Sequence, residues 1–402
     1  MRSARLRDIA ESAGCSVAVA SHVVNGSAGN ISCSPALRER ILRKAAELGY
    51  APQHAGLALR SRRAGAIGLY VPPTPDASLS GAYEARVFAG VERVALERGL
   101  DVLVVGGPDA ASGARICLAK LASRRIDGIV LLRVPAAARW ARSFAGLDAV
   151  AVDYAGAAPL DTVVCDVRDA AALAVGELLR LGHRRIAFLG PVDGALPAVA
   201  GFRRALAAHG LPDDPRWNLR PPRGSGFPAR LGKARLAAQR FAATPAAKRP
   251  TALVADTDET AIAFLDELRA RGLSCPRDVS LASLGDSALG RLALPALSSV
   301  VRPLADMGAA AALRLLERID ERGLAEPPPS PPRPLATAAA RAGRRGRPPA
   351  AVAAALAAES AERAAQDAAA AAAAPAPPPR ARWTRPFEPS FVARDSTAAP
   401  PR

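Results

Sequence analysis

Apolar positions in the first fifty residues recur with the period of helices. In "LRDIAESAGCSVAVASHVVNGS", Leu6, Ile9 and Ala10 fall on one helical face. Gly14 permits a sharp turn, and Ser16 can N-cap a second helix whose inward side is Val19, Val23 and Val24. Asn25-Gly26 tolerates the left-handed backbone that would end that helix. Ser34-Pro35, an N-cap followed by proline in the first turn, predicts a third helix with Leu37, Ile41, Leu42, Ala45 and Leu48 inward. From residue 66 the pattern changes to short continuous apolar runs: "AIGLYV", "DVLVVG", "IDGIVLL", "AVAVD", "TVVCD", "RIAFLG", "TALVAD", "VSLASLG" and "LSSVV". Helical stretches such as "EARVFAGVERVALERG" separate them. This alternation predicts parallel sheets with helices on both faces, in two lobes with a cleft at the strand C-termini.

After "LLERIDERGLAE" the periodicity stops. "PPPSPPRP" is a stiff spacer, "AAVAAALAAESAERAAQDAAAAAAA" is helix-prone but has almost no side chain to build a core, and "PAPPPRARW" is a second spacer.

Composition sharpens this picture. Half of the 402 residues are hydrophobic, but aromatics make up only 4%, so Ala, Leu and Val must fill the core. The net charge of +17 is unevenly spread. Residues 1–63 hold 10 Lys/Arg against 4 Asp/Glu, and residues 327–386 hold 9 Arg against 3 acids. Two basic segments around a milder middle suit a polyanionic partner, although a solubilising surface accounts for the charge equally well. The five cysteines are dispersed, without a Cys-x-x-Cys or a Cys/His cluster, which suits a reduced cytoplasmic protein with no metal site. "MRSARLRDIAESAG" lacks the apolar stretch of a secretory signal, and no membrane partner is expected. With no Gly-x-Ser-x-Gly and no Walker-type loop, no enzymatic chemistry and no cofactor are expected.

The N-terminal spacing is that of a helix-turn-helix, whose second helix enters the major groove. "LRDIAESAGCSVAVASHVVNGS" followed by "SPALRERILRKAAELGYAPQ" resembles the headpiece of the LacI/GalR family of bacterial transcription regulators. The match rests on Leu6, Asp8, Ala10, Ala13, Gly14, Ser16, Ser21, Val23, Asn25 and Gly26. The resemblance implies that Val17, Ala18 and His22 touch base edges, and that Ser16, Ser21 and Asn25 contact the DNA backbone or hold the turn. Val17 and Ala18 offer only apolar contact, which suits a thymine methyl. Direct readout should therefore be sparse, leaving part of operator choice to DNA shape. In "YAPQHAGLALRSRRAG", Leu59 matches the family's minor-groove wedge. Arg60 can reach phosphate there, or belong to a solvated linker. Gly56 stands where alanine is usual, a cost of about 1 kcal/mol in helix propensity.

"GHRRIAFLG", "GFRRAL", "CPRDVSLASLGD" and "VVRPLADMGAAAALRLLERI" extend the resemblance to the family's effector-binding core, whose fold is that of periplasmic sugar-binding proteins. Ala198, Thr257 and Gly285 stand where the family often has Arg, Asn and Asp. Tyr83, Asp153 and Asp258 remain as effector-contact candidates, with loop capping or surface ion pairing an equal reading for each acid. "RPFEPSFVARDST" resembles the family's closing strand through Pro389, Val392, Arg394, Ser396 and Thr397, so the low-complexity segment before it reads as an insertion. Inside it, "RRGRPP" is similar to an AT-hook, with Arg345, Gly346, Arg347 and Pro348 as a minor-groove contact; a solvated basic linker is the other reading.

The expected organisation is an all-α helix-turn-helix headpiece (1–50), a hinge (51–64), an α/β two-lobed periplasmic-binding-protein-like core (65–326), the insertion (327–384) and a closing strand with tail (385–402). The expected function is that of a cytoplasmic, homodimeric regulator, a repressor. It would bind double-stranded DNA at a near-palindromic operator, with affinity controlled by a small-molecule effector in the inter-lobe cleft. Two alternatives are an effector-independent, nucleoid-type DNA-binding protein and a small-molecule binding protein without a DNA role.

Overall fold

A computed structural model of the chain describes residues 4–24, 33–50, 63–73, 81–190, 196–214, 227–325 and 382–401. The headpiece has three helices, α1 (Leu6–Ala13), α2 (Val17–Val24) and α3 (Pro35–Glu47). Their ends are fixed by local chemistry. Arg5 N donates to Asp8 Oδ2 at 2.8 Å, Gly14 stops α1 at φ +66°, and Ser34 Oγ accepts from Leu37 N at 3.3 Å. Ile9, Ala10, Ala13, Ala20, Val23, Ile41 and Ala45 form the core. Leu42 and Leu48, expected inward, are 46% and 40% exposed. The inward row of α3 is Leu37, Ile41 and Ala45; Leu42 lies about 100° around the helix from it, and Leu48 is the C-cap residue.

Lobe 1 is built on a six-stranded parallel sheet containing β1 (Ala66–Tyr70), β2 (Asp101–Val105), β3 (Gly128–Leu132), β4 (Ala149–Val152), β5 (Asp161–Val164) and β10 (Thr384–Pro386), in the order β10-β5-β4-β3-β1-β2. β3 and β4 are buried along their whole length because helices cover both faces, which explains their continuous Val/Leu/Ala runs. One face packs on α4 (Ala82–Glu97) and α11 (Leu304–Ala325), the other on α5 (Ala110–Ala122). α4 and α11 cross at two glycines. A Cβ on Gly90 would lie 1.8 Å from the Ala305 carbonyl oxygen, and one on Gly308 would lie 2.1 Å from that of Val87.

Lobe 2 has five strands in the order β11-β9-β8-β7-β6, comprising β6 (Ile186–Leu189), β7 (Ala252–Ala255), β8 (Ser280–Ser283), β9 (Ser298–Val301) and β11 (Ser390–Val392). All are parallel except β11, which runs antiparallel to β9. Helices α6 (Val167–Arg180) and α7 (Pro197–Ala208) cover one face; α8 (Phe227–Ala243) and α9 (Asp258–Ala270) cover the other. The chain passes between lobes three times: from β5 to α6, from β9 to α11 and from β10 to β11.

The closing segment differs from expectation at its start. It supplies a strand to each lobe, and among the described residues its contacts include those of Arg382, inside the stretch assigned to the insertion. The Arg382 guanidinium donates to the carbonyls of Tyr154 (2.9 Å) and Gly156 (3.1 Å), and Trp383 N donates to Asp161 Oδ1 at 3.2 Å. Three exposed residues of β10 carry no apolar alternation that would reveal a strand. In lobe 2 the tail is held at buried His183, whose Nε2 lies 2.8 Å from the Ala398 carbonyl and whose Nδ1 lies 3.0 Å from Thr251 Oγ1. A carbonyl can only accept, so Nε2 carries the proton.

Two predictions follow from this packing. Gly90→Ala is expected to destabilise lobe 1 by about 1–3 kcal/mol by overpacking against the α11 backbone, read as a lower urea midpoint; an unchanged midpoint would contradict the crossing. Burial holds the His183 imidazole below its ordinary value of 6.5. The folded state therefore favours the neutral ring, so its stabilisation is full above pH 6.5 and is lost as pH falls through the depressed value. The melting temperature should drop on acidification, and His183→Gln should flatten that drop.

Candidate functional site

Exposed groups gather on the headpiece, and polar groups gather at the junction of the two lobes. On α2, Ser16, Val17 and Ala18 are exposed side by side at the start of the helix. Ser16 Oγ accepts from Val19 N at 3.3 Å, capping α2 and keeping its own O–H to donate outward. Ser21 and His22 are half-buried, while Ala20 and Val23 face the core. Arg40 on α3 donates from Nε to the Ala13 carbonyl at 2.9 Å, fixing the turn that leads into α2. Asn25, Leu59, Arg60 and the four hook residues Arg345, Gly346, Arg347 and Pro348 lie outside the described residues.

At the lobe junction, Tyr83 and Asp153 come together: the Tyr83 hydroxyl donates to Asp153 Oδ2 at 2.9 Å. Arg302, the first residue after β9, donates to the same oxygen and to the Cys165 carbonyl at 2.9 Å. Asp153 Oδ1 accepts from Cys165 N at 3.1 Å. Arg302 thus joins two of the three crossings, and Phe387 N, donating to the Val164 carbonyl at 2.7 Å, adds the third. Burial opposes the Arg302 charge, but Asp153 outweighs it and raises the guanidinium above its ordinary value. Burial and the Asp153 carboxylate hold the Tyr83 phenol well above its ordinary value, so it stays a donor. The Arg133 guanidinium stacks 4.2 Å from the Tyr83 ring centroid and pairs with buried Glu84 at 2.5 Å. Arg133 and Asp153 both adopt left-handed backbone, at φ 48° and 57°, a strained state for arginine that clusters at functional sites. Arg302 and Arg133 were not singled out from sequence. In the sequence, "VVRP" belongs to a segment that resembles the family core, and only the fold shows that its arginine meets the ends of β4 and β5.

Asp258 is placed differently from its two companions. It is 1% exposed at the start of α9, and its two oxygens accept from Ser283 Oγ (2.5 Å) and Ser287 N (2.6 Å). It welds the loops after β7 and β8 together. In the second of these loops, buried Asp286 pairs with Arg291 (2.5 Å) and with Arg394 of the closing segment (2.7 Å). Burial alone would raise the Asp286 carboxyl, but the two arginines bring it below its ordinary value. The Asp286 carbonyl accepts from Arg86 of lobe 1 at 3.3 Å, a direct contact between the lobes.

A third cluster sits where the chain enters lobe 1, at the N-terminal ends of the strands. Asp127 accepts from the backbone N–H groups of Ala64 (2.6 Å) and Gly65 (2.9 Å), and Arg63 pairs with Asp320 of α11 at 2.8 Å. Further along α11, Arg314 and Arg318 bind Asp161 at 2.8 and 3.0 Å, the same carboxylate that accepts from Trp383 N. Finally, lobe 2 exposes an apolar patch. Leu289, Leu292 and Leu294, on and beside α10 (Ala288–Leu292), are 58%, 80% and 77% exposed, next to Leu231 of α8 and Ile262 of α9. No helix among the described residues is long and apolar enough to cross a membrane.

Comparison with known proteins agrees with this geometry. Residues 5–53 match the family model for bacterial regulatory proteins of the lacI family, and residues 175–337 match a periplasmic binding protein-like domain. The HTH-type transcriptional regulator CelR of Thermobifida fusca is 30% identical, over 79% of this chain and 92% of its own. The ribose operon repressor of Haemophilus influenzae is 28% identical, over 79% and 92%. Catabolite control protein A of Priestia megaterium is 26% identical, over 77% and 91%. Among solved structures, the lac repressor dimer bound to operator and the anti-inducer ONPF superposes with a TM-score of 0.71 at 18% identity, over 99% of this chain and 100% of that one. A complex of CelR with cellobiose gives 0.59 at 22%, over 98% and 100%.

Removing the partner of a buried charge tests the junction. Asp153→Ala should leave Arg302 uncompensated and cost about 3–5 kcal/mol in denaturant unfolding. A loss below about 1 kcal/mol, the scale of an exposed pair, would show that the crossings are held by other contacts.

Proposed function

The chain belongs to the lacI family of bacterial regulatory proteins, and from that premise we propose that it is a homodimeric transcription repressor controlled by a small molecule. Two headpieces read the halves of a near-palindromic operator, and an effector between the lobes sets the affinity. The observation that carries the reading is the exposed run Ser16-Val17-Ala18 on a helix whose other face is consumed by the headpiece core. Exposed apolar side chains at the start of a helix-turn-helix second helix are placed for base edges. Ser21, His22 and Asn25 hold or extend that contact, Leu59 wedges into the minor groove, and Arg60 meets phosphate.

The effector contacts Tyr83 and Asp153 at the lobe junction. Asp258 supports the wall of that site instead of reaching the ligand, since it is buried beneath Ser283 and Ser287 while Asp153 is partly exposed. Because Arg302 links the crossings through Asp153, a ligand competing for this carboxylate would change how the lobes are held. The CelR complex with cellobiose and the lac repressor bound to ONPF, both of this fold, each hold a small molecule, which supports an effector for this chain. The Leu289, Leu292 and Leu294 patch supplies a self-complementary apolar surface for a twofold dimer. The protein works in the cytoplasm, where its DNA is, and performs no covalent chemistry.

The basic insertion adds a second DNA contact through Arg345, Gly346, Arg347 and Pro348. Its two ends support this. α11 leaves beside Arg63, at the end of the hinge, and the chain is tied back at Trp383 to Asp161. The insertion is therefore tethered at the edge where the headpiece joins the core, which raises its effective concentration at DNA flanking the operator.

Selection of duplexes from a random pool, with the full chain and with a variant lacking residues 327–381, tests the reading. Both proteins should return one palindrome, and the deletion should lose flanking A·T tracts and affinity. Recovery of no motif by either would favour a nucleoid-type binder, and equal affinity of the two would reduce the insertion to a linker. Leu292→Asp combined with Leu294→Asp should sediment as a monomer and bind the operator on the order of 100-fold more weakly, because two-headed binding is lost. A stable dimer would place the subunit interface elsewhere.

A further inference from the structure

Among the candidates outside the lobe junction, the surface of α2 carries an inference furthest. α2 reads Val-Ala-Val-Ala-Ser-His-Val-Val and contains no Arg, Lys, Asn or Gln. Those are the side chains that make paired hydrogen bonds to guanine O6/N7 or adenine N6/N7 in the major groove. Its two other polar residues, Ser21 and His22, are half-buried. The one large side chain that α2 projects outward is Val17, 46% exposed and absent from the headpiece core. Ala18 is exposed beside it. An isopropyl group at the first helical position, flanked by a methyl, has one favourable counterpart on a base edge, the C5 methyl of thymine.

We propose that the headpiece recognises its operator through the thymine methyl, with Val17 as the specificity-determining residue and Ala18 completing the apolar contact. The proposal rests on the operator-binding reading and names the chemical group that reading leaves open. The hydroxyl of Ser16, one residue before Val17, accepts from Val19 N and has its proton free to donate to a phosphate oxygen. That contact would fix the depth of α2 in the groove. Arg40, bound to the Ala13 carbonyl, holds the turn from which Ser16 and Val17 project. Polar contacts thus set position, and an apolar contact sets sequence.

Uracil differs from thymine only by that methyl, and all hydrogen-bonding groups are kept. The test uses a synthetic duplex carrying the selected palindrome, with deoxyuridine replacing thymidine at one symmetry-related pair of positions at a time. Full-length protein and Val17→Ala are titrated in parallel. Burying one methyl per half-site at the usual value for a buried carbon predicts a loss of about 4-fold per methyl, or about 15-fold for the symmetric pair. The loss should occur at one or two adjacent positions of the half-site. Val17→Ala should weaken binding to the thymine duplex and respond less than about 2-fold to uracil at that position, since it has lost the partner for the methyl. Val17 is outside the core, so circular dichroism of the variant should be unchanged.

Two results would overturn the proposal while leaving operator binding intact. One is affinity within about 2-fold for every uracil duplex, against continued discrimination from a scrambled duplex. The other is full retention of uracil sensitivity by Val17→Ala. A protein that fails to discriminate the selected from the scrambled duplex would overturn the operator-binding reading itself.

Discussion

The arrangement of the core depends on the ion pair between Arg302 and Asp153. The chain crosses between lobes three times, at residues 165–166, 302–303 and 387–389. Arg302 leaves β9 on one crossing, donates to the carbonyl of Cys165 on a second, and neutralises the carboxylate that ends β4. Phe387 N brings the third crossing onto β5. Two charges taken from water favour the structure only when both are paired and hydrogen-bonded, and here Tyr83 O–H and Cys165 N fill the rest of the carboxylate. Anything that competes for Asp153 acts on the two connections that Arg302 joins. A polar junction of this kind, between lobes with separate apolar cores, is suited to holding two arrangements of nearly equal free energy.

A second carboxylate plays the corresponding role at the other end of lobe 1. Asp161 begins β5, and it binds α11 before the insertion and Trp383 after it. The insertion is closed at its base by one buried acid, so its length need not disturb the sheet. Two arginines bring this carboxyl below its ordinary value although burial alone would raise it. Nearby, Asp127 clamps the backbone at Ala64 and Gly65, and Arg63 reaches Asp320. Three acids at the starts of strands or on α11 thus connect the entry of the hinge with the exit and return of the insertion.

Much of this was legible in the sequence because the forces involved are local. Ser16, Ser34 and Gly14 announce helix ends through caps and a left-handed turn, and the parallel strands announce themselves as unbroken apolar runs. Long-range charge pairing is not written in any local period. Asp153 and Tyr83 could be picked out as candidates, but their partner lies 149 residues from Asp153 along the chain, in a segment that resembles the family core. Asp258 has the composition of a ligand contact, and only packing shows both of its oxygens turned onto Ser283 and Ser287. β10 was missed because three residues paired to one neighbour need no pattern of their own, and its anchors, Arg382 and Trp383, look like the end of a spacer. Leu42 and Leu48 were read inward because they are leucines, although the narrow contact row of α3 is complete without them.

The central claim is that a small molecule at the lobe junction changes how tightly the headpieces hold DNA. It is tested most directly by measuring operator affinity by fluorescence anisotropy in the presence of fractionated small metabolites from the host cell. At least one fraction should shift the affinity by about 5–150-fold, the usual range of coupling between two sites. Asp153→Asn should reduce that shift. An affinity that is the same in every fraction would contradict the claim, leaving a DNA-binding protein that does not respond to a ligand.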